Sequence, residues 1–104
     1  MRVRLIEADP EQAASLCAAL RQAGLSVDED PEPDVLVVAL PAADASPRQA
    51  PSAPIVLLLG SDCSDELRGW IVGRPRWVSL SKPTRPHALL AAIRTAAGGH
   101  SPDP

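Results

Sequence analysis

Apolar residues fall in five short runs along this chain. In the run at 34–40 every residue after Asp34 is apolar, and the run Ile55–Leu59 is apolar throughout. Such continuous runs are typical of parallel strands covered on both faces. Shorter runs at 3–6, 25–27 and 77–80 have the length of further strands. The pattern therefore predicts a sheet of five strands.

Between the strands, the apolar spacing changes to that of helices. Asp9 and Pro10 indicate a helix start, because a side-chain oxygen can cap main-chain N–H groups and proline fits the first turn. Gly24 suits the end of that helix. A shorter helix with a cap at position 64 or 65 and a last helix opened by Pro86 are also predicted. Apolar residues three or four apart form the three helix faces: Ala13, Leu16, Cys17 and Leu20; Leu67, Trp70 and Ile71; Leu89, Leu90 and Ile93.

Alternating strands and helices indicate an α/β domain with a parallel sheet. The connections at 28–34 and 41–54 are anomalous, because the first is short and the second is rich in Pro, Ala and Ser but poor in large apolar residues. A parallel crossover normally takes a dozen or more residues and a helix. We therefore expect the second and third crossover helices to be missing or reduced to loops. That loss predicts exposed aliphatic residues on one sheet face, unless the loop at 41–54 seals it.

Composition narrows the classes of protein. The 104 residues suffice for one small domain, and the core must be aliphatic because Phe and Tyr are absent. A net charge of −3 without a basic stripe gives no reason to expect nucleic-acid binding. No apolar run is long enough to cross a bilayer, and Arg2 and Arg4 interrupt the start too early for a signal peptide. A cytoplasmic protein is expected, with 1–97 as the domain and 98–104 as a flexible Gly/Pro linker or tail.

Lys82 is the only lysine beside nine arginines, and it stands in Ser81-Lys82-Pro83 directly after the last strand. Its ammonium could anchor an anion pocket, or it could pair with Glu7 or Asp9 and merely organise the strand ends. Cys63, His87 and His100 show no partner spacing that would indicate a nucleophile or a metal site. The acidic stretch at 28–34 lacks the spacing of a calcium loop.

These features together resemble a response-regulator receiver domain over residues 2 to 97. The resemblance is carried by four stretches of sequence: Leu5-Ile6-Glu7-Ala8-Asp9-Pro10, Pro33-Asp34-Val35-Leu36-Val37-Val38-Ala39, Pro54-Ile55-Val56-Leu57-Leu58-Leu59-Gly60, and Ser81-Lys82-Pro83 followed by Pro86. It implies a flavodoxin-like sheet in the order 2-1-3-4-5, with a site at the carboxyl ends of the strands. It also implies a cis Lys82-Pro83 bond.

The family's chemistry is mostly absent when it is transferred by position. The resemblance implies an acidic pair where this chain has Glu7 and Ala8. It also implies a phosphoacceptor aspartate where this chain has Ala39, and a hydroxyl residue where it has Leu59. Only Glu7, Lys82 and Asp9 match, so the chain resembles a degenerate receiver with no phosphoacceptor. The degenerate pocket is expected to comprise Glu7, Ala8, Asp9, Ala39, Leu59, Gly60 and Lys82, with no metal, no cofactor and no catalytic residue.

The leading hypothesis is a non-enzymatic, phosphorylation-independent receiver module in bacterial two-component signalling or transcription regulation. It would act by homodimerisation or partner binding, through the under-covered sheet face or through the last helix and fifth strand. An output domain beyond Pro104 is expected. The alternative is a ligand-sensing domain that holds a small anionic or apolar molecule beside Lys82, where Ala39 and Gly60 leave room. An enzyme is disfavoured, because the chain lacks a nucleophile–base pair and a Gly-rich phosphate loop.

Overall fold

The computed structural model describes residues 1–28, 32–40, 53–60, 64–74 and 76–98. Strands and helices alternate through these ranges. In chain order they are β1 Arg2–Ile6, α1 Pro10–Gln22, β2 Ser26–Val27, β3 Val35–Ala39, β4 Ile55–Leu59, α2 Ser64–Ile71, β5 Trp77–Ser81 and α3 Pro86–Gly98.

The five strands form one parallel sheet in the order β2-β1-β3-β4-β5. The predicted fold class and strand order are confirmed, and the described ranges contain three helices. The loops predicted in place of the other two crossover helices fall largely on residues 29–31 and 41–52, outside the described residues, as does the tail at 99–104.

Local chemistry explains where α1 begins and ends. The Asp9 backbone is extended (φ −82°, ψ 115°), and its Oδ1 accepts a 2.9 Å hydrogen bond from the Glu11 N–H. This contact satisfies one of the donors that a helix start leaves free, while Pro10 occupies the first helical position. After the helix, Gly24 adopts φ +91°, a left-handed conformation that glycine enters without steric cost. The predicted cap and stop are both confirmed.

Alternate residues of the strands build two apolar layers. The first lies under α1 and α3, where Leu20 and Ile93 are fully buried. Its strand members are Val3, Val27, Val35, Val37, Ala39, Val56 and Leu58, with Leu5, Val78 and Leu80 packed at its margin. This layer contributes most of the core, and it fixes β1, β3, β4 and β5 against the two longer helices.

The second layer is smaller and faces α2. Leu36, Val38 and Leu40 of the β3 segment are 0% exposed there, beside Ile55, Leu57 and Trp70. The expectation of exposed aliphatic residues on this face is therefore wrong for β3. Whether the loop at 41–54 seals the face concerns mainly residues outside the described ranges.

On β1 and β2 the same face is mostly polar, and Ile6, at the end of β1, is the residue of these two strands that packs against the second layer. Val3 and Leu5 belong to the first layer, so Arg2 and Arg4 point to the opposite face, where the register places Arg4 beside Leu36. Ser26 lies next to Arg2 in the same way. Among the described residues, the large apolar side chains that remain exposed are Met1, Val72 and Trp77. The sheet face near β1 thus presents no broad apolar patch in the described part of the chain.

No helix in the described part of the chain has both the length and the apolar character needed to cross a membrane.

Candidate functional site at the strand ends

The carboxyl ends of β1, β3, β4 and β5 meet at one edge of the sheet. Ile6 is paired with Val38 and Ala39 with Leu58, so continuing the register places Glu7 beside Ala39. Leu59 is paired with Ser81, the residue before Lys82. The topology therefore brings the predicted pocket positions to the same edge, as expected for a parallel sheet.

Lys82 connects three of these strand ends. Its main-chain N–H donates to the Leu59 carbonyl at 2.8 Å, which extends the pairing of β5 with β4. Its side-chain Nζ donates to the carbonyl of Leu40, also at 2.8 Å. The bond that follows, Lys82-Pro83, is cis, as the resemblance implies. The ammonium thus crosses the end of β4 and binds the main chain directly after β3.

The carboxylates near Lys82 are used locally. Glu7 Oε1 accepts from the Asp9 N–H at 3.0 Å, and Asp9 Oδ1 accepts from the Glu11 N–H at 2.9 Å. Within the described residues, the contacts of these two side chains are with the turn between β1 and α1, and that of the Lys82 ammonium is with Leu40. In the described structure Lys82 therefore binds a main-chain oxygen and does not pair with Glu7 or Asp9.

Ala39 occupies the position where the resemblance implies a phosphoacceptor. It is the last residue of β3, is 0% exposed, and its methyl group belongs to the first apolar layer. Leu59 belongs to the margin of the second layer, on the opposite face of the sheet. Neither side chain carries a group that could accept a phosphoryl or hold a cation.

A cleft of about 460 Å³ opens at this edge. Four of the predicted pocket residues line it: Glu7, Asp9, Gly60 and Lys82. Ala8, Ala39 and Leu59 do not line it. Its remaining described lining was missed by sequence reasoning and comes from one turn of α1, from β4 and from the loop before α3: Gln12, Leu16, Leu58, Pro83 and Thr84. The cleft therefore lies on the α1 side of the sheet.

The sequence carried a partial signal for these missed residues. Gln12 and Leu16 follow Asp9 at helical spacings of three and seven, so they share its face of α1. Leu58 and Leu59 are neighbours in β4, and successive side chains of a strand point to opposite faces of the sheet, so only Leu58 faces the cleft. The cleft combines one ammonium, two carboxylates and an apolar wall.

Of the other candidate residues, the described ones, Cys17 and His87, do not line this cleft. His87 is exposed, and Cys17 is a half-buried free thiol on the core-facing side of α1. Cys63 and His100 lie outside the described residues. No three His, Cys, Asp or Glu side chains converge in a metal-binding arrangement within the described ranges.

No family model matches the sequence, and no curated protein matches it significantly. Solved structures do match. The receiver domain of a sensor histidine kinase from Pseudomonas aeruginosa, described with magnesium coordinated in its active-site cleft, is 16% identical with a TM-score of 0.70, over 93% of this chain and 97% of that one. A signal receiver domain from Bermanella marisrubri is 17% identical with a TM-score of 0.69, over 91% and 96%.

Full-length FixJ from B. japonicum is 19% identical with a TM-score of 0.71. The match covers 97% of this chain but 59% of FixJ, so this chain corresponds to a part of that longer protein. At these identities the likeness concerns the fold and leaves the chemistry of the strand ends open. The chain has the fold of a response-regulator receiver domain.

Proposed function

We propose that this chain is a receiver-fold signalling module that is not switched by phosphorylation and that acts through protein contacts. The observation that carries the proposal is Ala39. A receiver is phosphorylated on a carboxylate at the end of β3, and a methyl group at that point offers no nucleophile to a phosphoryl donor.

Lys82 supports the same proposal. Its bond to the Leu40 carbonyl gives the ammonium a structural partner that does not depend on any acidic side chain. Lysine can therefore be retained at the end of β5 as a link between β3 and β5 when its partner in phosphoryl transfer is absent. The carboxylates of Glu7 and Asp9 are likewise engaged in ordering the turn before α1.

The direct test is to incubate the protein with acetyl phosphate and magnesium and to measure its intact mass. We expect no phosphoryl adduct, whereas an active receiver domain treated in parallel gains one. Magnesium and beryllofluoride should also leave the amide NMR spectrum unchanged. A hydroxylamine-sensitive adduct on Glu7 or Asp9 would refute the proposal, because acyl phosphates are cleaved by that reagent and serine phosphates are not.

Signalling by contact requires a partner. We propose a second copy of the chain or another regulatory protein, bound at the surface formed by β5 and α3, because the alternative face carries Arg2 and Arg4 instead of exposed aliphatic residues. Trp77, at the start of β5, is 47% exposed although its side chain is large and apolar. Its indole lies on the face of β5 opposite to Val78 and Leu80, so its exposure favours the edge of β5 as part of the contact. An output domain would receive the signal.

The cleft favours a second candidate function, the sensing of a small molecule. Its volume lies within the range of small-molecule sites, roughly 300–1,000 Å³. Lys82 can offer further N–H groups to an anionic group while Leu16 and Leu58 contact an apolar portion. A thermal-shift screen of small carboxylates, phosphates and apolar acids tests this function. A saturable increase in melting temperature that Lys82→Met abolishes would support it, and a flat response across the panel would count against it.

A further inference from the structure

β5 is the edge strand of the sheet, and its free hydrogen-bonding groups can be assigned. Ile55 N–H donates to the Arg76 carbonyl, and Lys82 N–H donates to the Leu59 carbonyl. In a parallel pair, alternate residues direct their main-chain groups to the neighbouring strand. Arg76, Val78, Leu80 and Lys82 therefore face β4. The N–H and C=O groups of Trp77, Ser79 and Ser81 point away from the sheet.

These outward groups have little protection. Among the described residues, the contact made to them is a 3.2 Å bond from Thr84 Oγ1 to the Ser81 carbonyl, which leaves that oxygen a second lone pair. Trp77, Ser79 and Ser81 are exposed, and the segment Trp77–Ser81 contains no charged residue and no proline. Natural edge strands are usually kept apart by charges, prolines, bulges or short length. The opposite edge, β2, follows that rule because it has only two residues.

We infer that β5 pairs with β5 of a second copy of this chain, antiparallel about a two-fold axis through Ser79, so that the two sheets become continuous. In this register Ser79 exchanges both of its main-chain hydrogen bonds with the Ser79 of the second copy. Trp77 lies opposite Ser81 in the neighbouring hydrogen-bonded pairs. Val78 lies opposite Leu80, in the closer type of pair that favours apolar contact.

Charge favours a second copy as the occupant. A two-fold axis places identical groups near each other, and the uncharged Trp77–Ser81 segment avoids the like-charge contacts that normally prevent self-pairing. The pairing ends at Arg76 opposite Lys82, but both cations are turned towards their own chain. Arg76 Nη1 approaches the Ala96 carbonyl at 3.5 Å, and Lys82 Nζ binds the Leu40 carbonyl. The half-buried Val78 and Leu80 and the exposed indole of Trp77 gain apolar contact on opposite faces of the joined sheet.

The interface is small, and this sets its expected strength. One short strand pair with an indole buries well below the ~800 Å² per partner of a standard stable interface. We therefore expect a reversible dimer in the micromolar to millimolar range. This inference rests on the proposed function, because it identifies the contact partner and the surface of a module that signals by contact.

Ser79→Pro is the decisive variant. Its ring removes an N–H that points away from β4, so the ladder within the monomer keeps its bonds, and proline is tolerated at such edge positions. Sedimentation velocity over a concentration series should show dimerisation of the wild-type chain and of the control Ser79→Ala, which keeps the N–H. We expect Ser79→Pro to weaken the dimer by about tenfold or more, since both reciprocal bonds at the axis are lost.

Ser79→Lys provides a second variant that does not depend on proline being accommodated. It places two ammonium groups at the axis, so the dimer should weaken at low salt and partly recover at high salt. In a mixture of isotope-labelled and unlabelled wild-type chains, intermolecular NMR contacts between Val78 and Leu80 methyl groups should appear.

A wild-type chain that stays monomeric up to millimolar concentration would overturn the inference. A dimer that neither Ser79→Pro nor Ser79→Lys weakens would also overturn it, because another surface must then join the copies. Neither result affects the outcome expected with acetyl phosphate, because that experiment measures phosphorylation and does not depend on dimer formation. Failure of the β5 dimer and failure of the phosphorylation-independent function are therefore separate outcomes.

Discussion

Replacing Lys82 by methionine tests how the strand ends are held together. Methionine keeps an unbranched side chain of similar length but removes the ammonium that donates to the Leu40 carbonyl at 2.8 Å. That distance is typical of a charge-assisted hydrogen bond. Leu40 is 0% exposed, and within the described residues the structure gives its carbonyl no other partner, so the variant leaves a main-chain oxygen to find a new donor.

Two limits bracket the loss of stability. If the oxygen stayed dry, the cost would be about 1–3 kcal/mol, the penalty of an unsatisfied buried acceptor. Lys82 is itself exposed, however, and it borders the open cleft, so water can approach the vacated position. We therefore expect a loss near the lower limit, about 1 kcal/mol, which for a domain of this size lowers the melting temperature by about 4–8 °C.

Chemical denaturation followed by fluorescence measures this loss, because the buried Trp70 reports on unfolding. Lys82→Arg is the matched control, since it keeps a cationic donor and should retain part of the stability. A Lys82→Met protein as stable as the wild type, within about 0.3 kcal/mol, would show that the bond to Leu40 contributes nothing. If phosphate stabilised the wild type but not Lys82→Met, the ammonium would instead be an anion site.

Three further substitutions test other parts of the structure by the same denaturation assay. Asp9→Ala removes the cap of α1 and should cost about 1 kcal/mol, with Asp9→Asn retaining most of the stability; equal stability of Asp9→Ala and wild type would contradict the cap. Leu36→Ala should cost about 2–5 kcal/mol because the side chain is fully buried in the second layer, and a loss below 1 kcal/mol would mean that this face is open to water. Arg74 donates to the carbonyls of Trp70 and Ala53 at 2.7 and 3.1 Å, so Arg74→Ala should lower the free energy of unfolding by about 2–3 kcal/mol. A loss of only about 1 kcal/mol, as expected for Lys82→Met, would show that water replaces one of these two bonds. Arg74→Lys should rescue this variant only partly, since one ammonium cannot reproduce the fork of donors.

The sequence predicted the sheet well because its information is local. The β3 and β4 segments are continuous apolar runs, and such runs have few stable placements other than the interior of a parallel sheet. The start of α1 was equally predictable, since a capping carboxylate and a proline act within a single turn. Strand order followed from the resemblance to receivers.

The expectation of an exposed apolar face is wrong for β3, whose Leu36 and Val38 are fully buried, and the alternating sequence of β1 limits it further. Arg2 and Arg4 alternate with Val3 and Leu5, so the first four residues of β1 present guanidinium groups to that face, and Ile6 adds an apolar side chain only at the end of the strand. A helix packed on that face would have to bury guanidinium groups, which are costly to bury unpaired. The arginines are thus consistent with the short connection at 28–34, and both features could have been interpreted together.

The contact of Lys82 could not have been predicted, because its acceptor is a main-chain oxygen. Any residue at position 40 has a main-chain carbonyl, so the side chain at that position does not indicate that it binds Lys82. Acidic side chains are visible in the sequence, and they suggest Glu7 and Asp9 as partners instead. This has a consequence for function. The bond between Lys82 and the main chain needs no acidic side chain, so the presence of this lysine does not by itself indicate phosphoryl transfer. In our proposal, the position that decides between the two roles is 39, where the resemblance implies a phosphoacceptor and this chain has the methyl group of Ala39.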